Sequence, residues 1–97
     1  MNKAIFLDRD GVLNADLGYV SSKDRTIFLE ENITYFASIK EFIPIIVTNQ
    51  SGIGRGFYTE REFLSYMDWF TNELATRGLI VANFYYCPHL PSDGCNC

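Results

Sequence analysis

Apolar residues recur along the chain with two periods. Ala4 to Leu7 is a short unbroken apolar run that ends in Asp8, Arg9, Asp10 and Gly11. That is the pattern of a buried parallel strand delivering polar groups at its carboxyl end. Residues 11–23 are rich in Gly, Asn, Asp and Ser and predict a turn-rich excursion. Ile33, Phe36, Ala37 and Lys40 fall at helical spacing, which predicts a helix over about Asn32 to Phe42, with Asn32 as N-cap and Pro44 ending it. Ile43 to Val47 then reads as a second strand, again with a polar end. Thr59 with Glu62 is a capping box, and Phe63, Tyr66, Met67, Phe70 and Leu74 line one face of the helix that follows. Gly78 closes it, and this aromatic stripe is more simply core than a cofactor site. Val81 to Tyr86 is the third strand. The order β, loop, α, β, α, β predicts an α/β domain whose parallel strands are joined by right-handed crossovers, with ligands bound beyond the strands' carboxyl ends.

Composition narrows the picture without changing it. At 97 residues, 47% hydrophobic and 15% aromatic, the chain suits one small globular domain, 1–97. The net charge is −4 and Lys and Arg are scattered, which argues against nucleic acid as a partner. The first apolar run is too short for a signal peptide, and no stretch is long enough to span a membrane. The three cysteines and the single histidine all fall in the last eleven residues, which suits metal ligation better than a disulfide framework and makes the cytoplasm the natural compartment.

Three clusters carry candidate chemistry. In extended geometry side chains at i and i+2 point the same way, so Asp8 and Asp10 can converge on one ligand while Arg9 points elsewhere. One carboxylate can attack a phosphoryl group, and the other can protonate the leaving oxygen and then activate water. Both offer hard oxygen ligands to Mg²⁺, which would offset their repulsion from a phosphate. An acidic pair after a strand is equally at home in a solvated turn. Thr48, Asn49, Gln50 and Ser51 offer a hydroxyl and successive amides for an anion-binding concavity, with Gly52, Gly54 and Gly56 for a sharp turn. Arg55 could reach a second phosphate or a sugar hydroxyl, although a solvated Arg reads as well there. Cys87, His89, Cys95 and Cys97 form two close pairs, a closed tetrahedral set suited to structural Zn²⁺; reduced thiols beside a surface histidine are the bland alternative.

In order along the chain, FLDRDGVLN, DLGYV, TNQSGIGRGFYTE, YYCPHLP and CNC resemble the zinc-containing branch of the haloacid dehalogenase-type phosphatases, especially those acting on D-glycero-D-manno-heptose 1,7-bisphosphate. The resemblance implies a three-layer Rossmann-like parallel sheet with a zinc loop, incomplete at its C-terminus. It implies that Asp8 is the nucleophile, that Asp10 is the general acid/base, and that both ligate Mg²⁺. Thr48 and Asn49 would hold the transferred phosphate. Asp16, Leu17, Gly18 and Tyr19, with Gln50 and Ser51, fall where the family contacts its small-molecule phosphate substrate. CPHLP followed by CxC also resembles the histidinol-phosphate phosphatases. TNQ after a strand occurs in polynucleotide-end phosphatases too, but the acidic charge and the zinc loop argue against that reading. The family continues after CxC with Arg-Lys-Pro and later supplies another Asp for Mg²⁺. Without them the resemblance leaves open an inactive, zinc-stapled module, monomeric or self-associating through an exposed sheet edge.

Overall fold

The computed structural model describes residues 3–90. Three parallel strands, β1 (Lys3–Asp8), β2 (Phe42–Asn49) and β3 (Asn83–Cys87), form one sheet in the order β1-β2-β3. Helix α1 (Glu30–Ser38) connects β1 to β2, a single turn α2 (Ser51–Gly54) follows β2 directly, and α3 (Glu60–Thr76) leads back to β3. The registers set Asp8 beside Val47, Thr48 beside Tyr86 and Asn49 beside Cys87. All the polar strand ends therefore lie together at one end of the sheet.

The firmest element is α3, and its local chemistry shows why. Thr59 Oγ1 accepts from the Glu62 amide at 3.0 Å, and the Glu62 carboxylate accepts from the Thr59 amide at 2.8 Å. These bonds, the backbone one first, hold the Glu62 carboxyl below the usual carboxylate range. Phe63, Tyr66, Met67, Phe70 and Leu74 are all buried. At the far end Gly78 takes φ +92°, where a side chain would be strained, and the Leu79 amide reaches the Leu74 carbonyl at 3.0 Å.

Two boundaries differ from the sequence reading. α1 runs Glu30–Ser38 rather than from Asn32 to Phe42, and Asn32 is not its cap. The Asn32 side chain instead donates to the Val12 carbonyl at 2.9 Å, while Glu30 and Glu31 occupy the first turn, where the helix dipole favours acids. Pro44 does not end the helix, which stops at Ser38, but lies inside β2, as the predicted strand Ile43–Val47 has it. Its carbonyl accepts from the Ala82 amide at 3.0 Å, so that side of Pro44 faces the chain just ahead of β3. The missing N–H therefore costs no ladder bond, since β3 begins only at Asn83.

The core lies on one side of the sheet. Leu7 and Ile46, with half-buried Ile5, Phe84 and Tyr86, face the helices, and Phe63 packs its ring 4.8 Å from Tyr86 and 6.3 Å from Phe84. Phe6 and Tyr85 alternate with these residues and are 63% and 57% exposed. Among the described residues the fold thus has two layers rather than the expected three. Crossovers of one hand in the order β1-β2-β3 put both connecting helices on the same face.

Candidate active site

The chain leaves β1 at Asp8, whose carboxylate is exposed, and turns sharply. The Arg9 carbonyl accepts from the amides of Val12, Leu13 and Asn14 at 3.3, 2.8 and 3.2 Å, and Gly11 at φ +88° makes the bend. The Arg9 side chain points inward, where it is 1% exposed. Its Nη2 donates to both Asp10 carboxylate oxygens at 2.8 and 3.1 Å and to the Val20 carbonyl at 2.7 Å, and Nη1 meets Met67 Sδ at 3.6 Å. The guanidinium lies 5.3 Å from the Tyr66 ring centre and 5.7 Å from that of Phe70. Arg9 points to the helix face with Leu7, opposite exposed Asp8, as alternation implied, but the turn after β1 brings the Asp10 carboxylate onto it. Arg9 is a buried cation paired with one member of the acidic pair, and it clamps Asp10 to α3. Asn14 Nδ2 adds another bond to Asp10 Oδ1 at 3.1 Å.

At the end of β2, Gln50 is 2% exposed. Its Nε2 donates to Thr48 Oγ1 at 2.8 Å and lies 3.5 Å from Asp10 Oδ2, and its Oε1 accepts from the Tyr58 hydroxyl at 2.5 Å. Burial pushes the Tyr58 phenol up, opposed in part by the positive charge of Arg9. Two of the glycines owe their place to packing rather than to a phosphate. A Cβ at Gly52 would come within 2.5 Å of the Tyr58 ring, and one at Gly54 within 2.8 Å of the Pro88 carbonyl.

These pieces enclose an open cavity of about 470 Å³. Asp8 lines it from the end of β1, Arg9 and Asp10 from the turn after it, Asp16, Gly18 and Tyr19 from the following loop, and Thr48, Asn49, Gln50, Ser51 and Tyr58 from the β2 side. The structure therefore brings together nearly all the residues singled out by sequence. Leu17 and Arg55 are outside this lining: Leu17 is 46% exposed, and Arg55 stacks on Tyr19 at 5.8 Å. Tyr19 takes φ +52° and meets the Phe57 ring edge-on at 4.9 Å, so Arg55 and Phe57 both pack on this loop. Arg9, Asn14 and Tyr58 have roles that the sequence did not announce, since an Arg within an acidic pair and a Tyr before a capping box carry no local signature of a buried network.

The donor set fits a hard divalent cation. Asp8 and Asp10 place carboxylates on one cavity, and Mg²⁺ typically takes one or two carboxylates, waters and substrate phosphate. Among the described residues Arg9 is the only cationic side chain lining the cavity, and it is already paired with Asp10. Among the described residues no cluster of three or more His, Cys, Asp or Glu is placed to hold a metal. For the expected zinc set, Cys87 Sγ stands 3.9 Å from His89 Nδ1, close to the roughly 3.6 Å that separates a sulfur and a nitrogen sharing one tetrahedral zinc. Cys87 is disulfide-bonded, and Cys95 and Cys97 lie outside the described residues.

Known proteins share both sequence and fold with this chain. A probable D-glycero-D-manno-heptose-1,7-bisphosphate 7-phosphatase of Thermoplasma volcanium is 39% identical over 97 residues, covering 98% of this chain and 66% of its own length. The D-glycero-beta-D-manno-heptose-1,7-bisphosphate 7-phosphatase of Pasteurella multocida is 46% identical over 91 residues, covering 92% of this chain and 50% of its own. A solved D,D-heptose 1,7-bisphosphate phosphatase from B. bronchiseptica, complexed with magnesium and phosphate, superposes with a TM-score of 0.88 at 37% identity, over 98% of this chain and 55% of that one. A putative haloacid dehalogenase-like phosphatase from Mesorhizobium loti gives a TM-score of 0.82 at 27% identity. No protein-family profile matches the chain. By sequence and by fold, over about half to two thirds of their length, the chain is a homologue of the heptose 1,7-bisphosphate phosphatases of haloacid dehalogenase type.

Proposed function

We propose that this chain carries the nucleophile and phosphate-binding part of a Mg²⁺-dependent phosphatase acting on a small sugar phosphate, with D-glycero-D-manno-heptose 1,7-bisphosphate as the substrate best supported. The convergence of Asp8, Asp10 and the Thr48–Ser51 segment on one cavity beyond the strand ends carries this reading. The Asp8 carboxylate attacks phosphorus and forms an aspartyl phosphate while the P–O bond to the sugar breaks. Asp10, a carboxylate held by Arg9 and Asn14 in the resting site, takes up a proton as the phosphate monoester enters and gives it to the departing sugar oxygen. It then takes a proton from water, whose oxygen attacks the aspartyl phosphate and frees inorganic phosphate and Asp8. Thr48 and Asn49 hold the phosphoryl group, and Asp16, Gly18 and Tyr19 with Ser51 contact the sugar. Asp8 and Asp10 would hold Mg²⁺, which supplies charge neutralisation for the phosphoryl oxygens.

Phosphate release with both heptose 1,7-bisphosphate anomers and with histidinol phosphate checks the substrate class. A heptose bisphosphate is expected to be preferred by at least ~10-fold in kcat/KM, the discrimination available to a site that pairs with sugar hydroxyls. Preference for histidinol phosphate would overturn the substrate assignment while leaving the chemistry.

We also propose that Cys87, His89, Cys95 and Cys97 hold a structural Zn²⁺ once Cys87 is reduced, since only a thiolate ligates. Metal analysis of the reduced protein is expected to give one zinc per chain, lost in Cys87→Ser. Absence of zinc from the reduced protein would leave the disulfide as the staple of this segment.

A further inference from the structure

The hydrogen bonds around Gln50 have a direction that chemistry fixes. A carboxylate only accepts, so the end of the Gln50 amide that faces Asp10 Oδ2 must be its NH₂. The carbonyl end then faces Tyr58, whose hydroxyl has to donate. The same NH₂ donates to Thr48 Oγ1, so the Thr48 hydroxyl is already an acceptor on its protein side. No acceptor for the Thr48 proton lies within hydrogen-bonding distance among the described residues, and Thr48 lines the cavity with Asp8. A phosphoryl oxygen bound there would meet a proton, not a lone pair. Gln50 itself is too buried to be a free substrate contact.

We infer that Tyr58 is a positioning residue that, by donating to Gln50, locks the amide so that Thr48 presents its hydroxyl proton to the phosphoryl group beside Asp8. This rests on the reading of the cavity as a phosphate site. Gly52 belongs to the same device, since its bare backbone lets the Tyr58 ring lie close enough to reach Gln50. Without the phenol only the long 3.5 Å contact to Asp10 opposes turning of the amide, and in the turned state Thr48 spends its proton on Gln50 Oε1.

The test is a double-mutant cycle on inorganic phosphate binding, measured with Mg²⁺ by calorimetry, using Tyr58→Phe and Thr48→Val. Each single change is expected to weaken binding by about 10–100-fold, the worth of one hydrogen bond to a charged group, and the double variant to be no weaker than Thr48→Val alone. Multiplying effects, or unchanged binding in Tyr58→Phe, would overturn the relay while leaving the phosphate site standing. A wild-type chain that binds no phosphate would instead remove the site reading and the relay with it. A measurement that needs neither variant nor ligand is the Gln50 side-chain amide signal in the NMR spectrum of the wild-type chain. Slow solvent exchange of the NH₂ protons and their nuclear Overhauser contact with the Thr48 side chain are expected; exchange at the rate of a free amide without that contact would overturn the lock.

Discussion

Arg9→Met is expected to cost about 2–4 kcal/mol of folding stability, seen as an earlier urea midpoint with unchanged slope. The side chain of Arg9 is fully buried, and its partner Asp10 is 23% exposed. Removing one partner of a buried ion pair commonly costs about 3–5 kcal/mol, because the other charge is left without its mate. Here partial solvation of Asp10, together with the Asn14 bond, softens that penalty. Val20 loses the guanidinium from its carbonyl as well, and the faces of Tyr66 and Phe70 lose a cation. Methionine refills much of the volume, so the loss reports on polar pairing rather than on a cavity. Arg9→Lys should recover only part of it, since one ammonium cannot reach Asp10, Val20 and Met67 together. Because the pair is sheltered, added salt should change the difference little. A methionine variant as stable as the wild type would show that Arg9 does not anchor Asp10 to α3.

How much of this was legible beforehand depended on whether the signal was local. The capping box at Thr59 and the stripe from Phe63 to Leu74 follow from short-range pattern, and the structure reproduces both. The strand order and the gathering of Asp8 with Thr48 follow from the α/β rule that strand ends meet, and the register realises it. Pro44 misled only as the end of the helix, since α1 has already stopped at Ser38; what makes it tolerable inside β2 is where β3 begins, which no window of sequence around it contains. Asn32 looked like a cap but serves a long-range bond to Val12. Arg9 faces inward with Leu7 as alternation predicts, but its bond to Asp10 depends on the turn that follows β1, which alternation does not describe. The network from Tyr58 through Gln50 to Thr48 and Asp10 joins residues that sequence shows only as separate motifs, so its donors and acceptors could be ordered only once their distances were known.

The central assignment is that Asp8 is the group that attacks phosphorus. Its carboxylate makes no hydrogen bond or ion pair among the described residues and lies exposed at the cavity, so Asp8→Asn should leave stability within about 0.5 kcal/mol of wild type. An amide of nearly the same shape cannot serve as the carboxylate nucleophile, and it also removes one of the two candidate Mg²⁺ carboxylates. The measurement is phosphate release from heptose 1,7-bisphosphate with Mg²⁺, wild type and Asp8→Asn prepared side by side. Turnover that falls by at least ~10³-fold in the variant, with its unfolding midpoint unchanged, is the expected result. Equal rates from the two preparations would contradict the assignment of Asp8 as nucleophile and, with it, the proposed phosphatase.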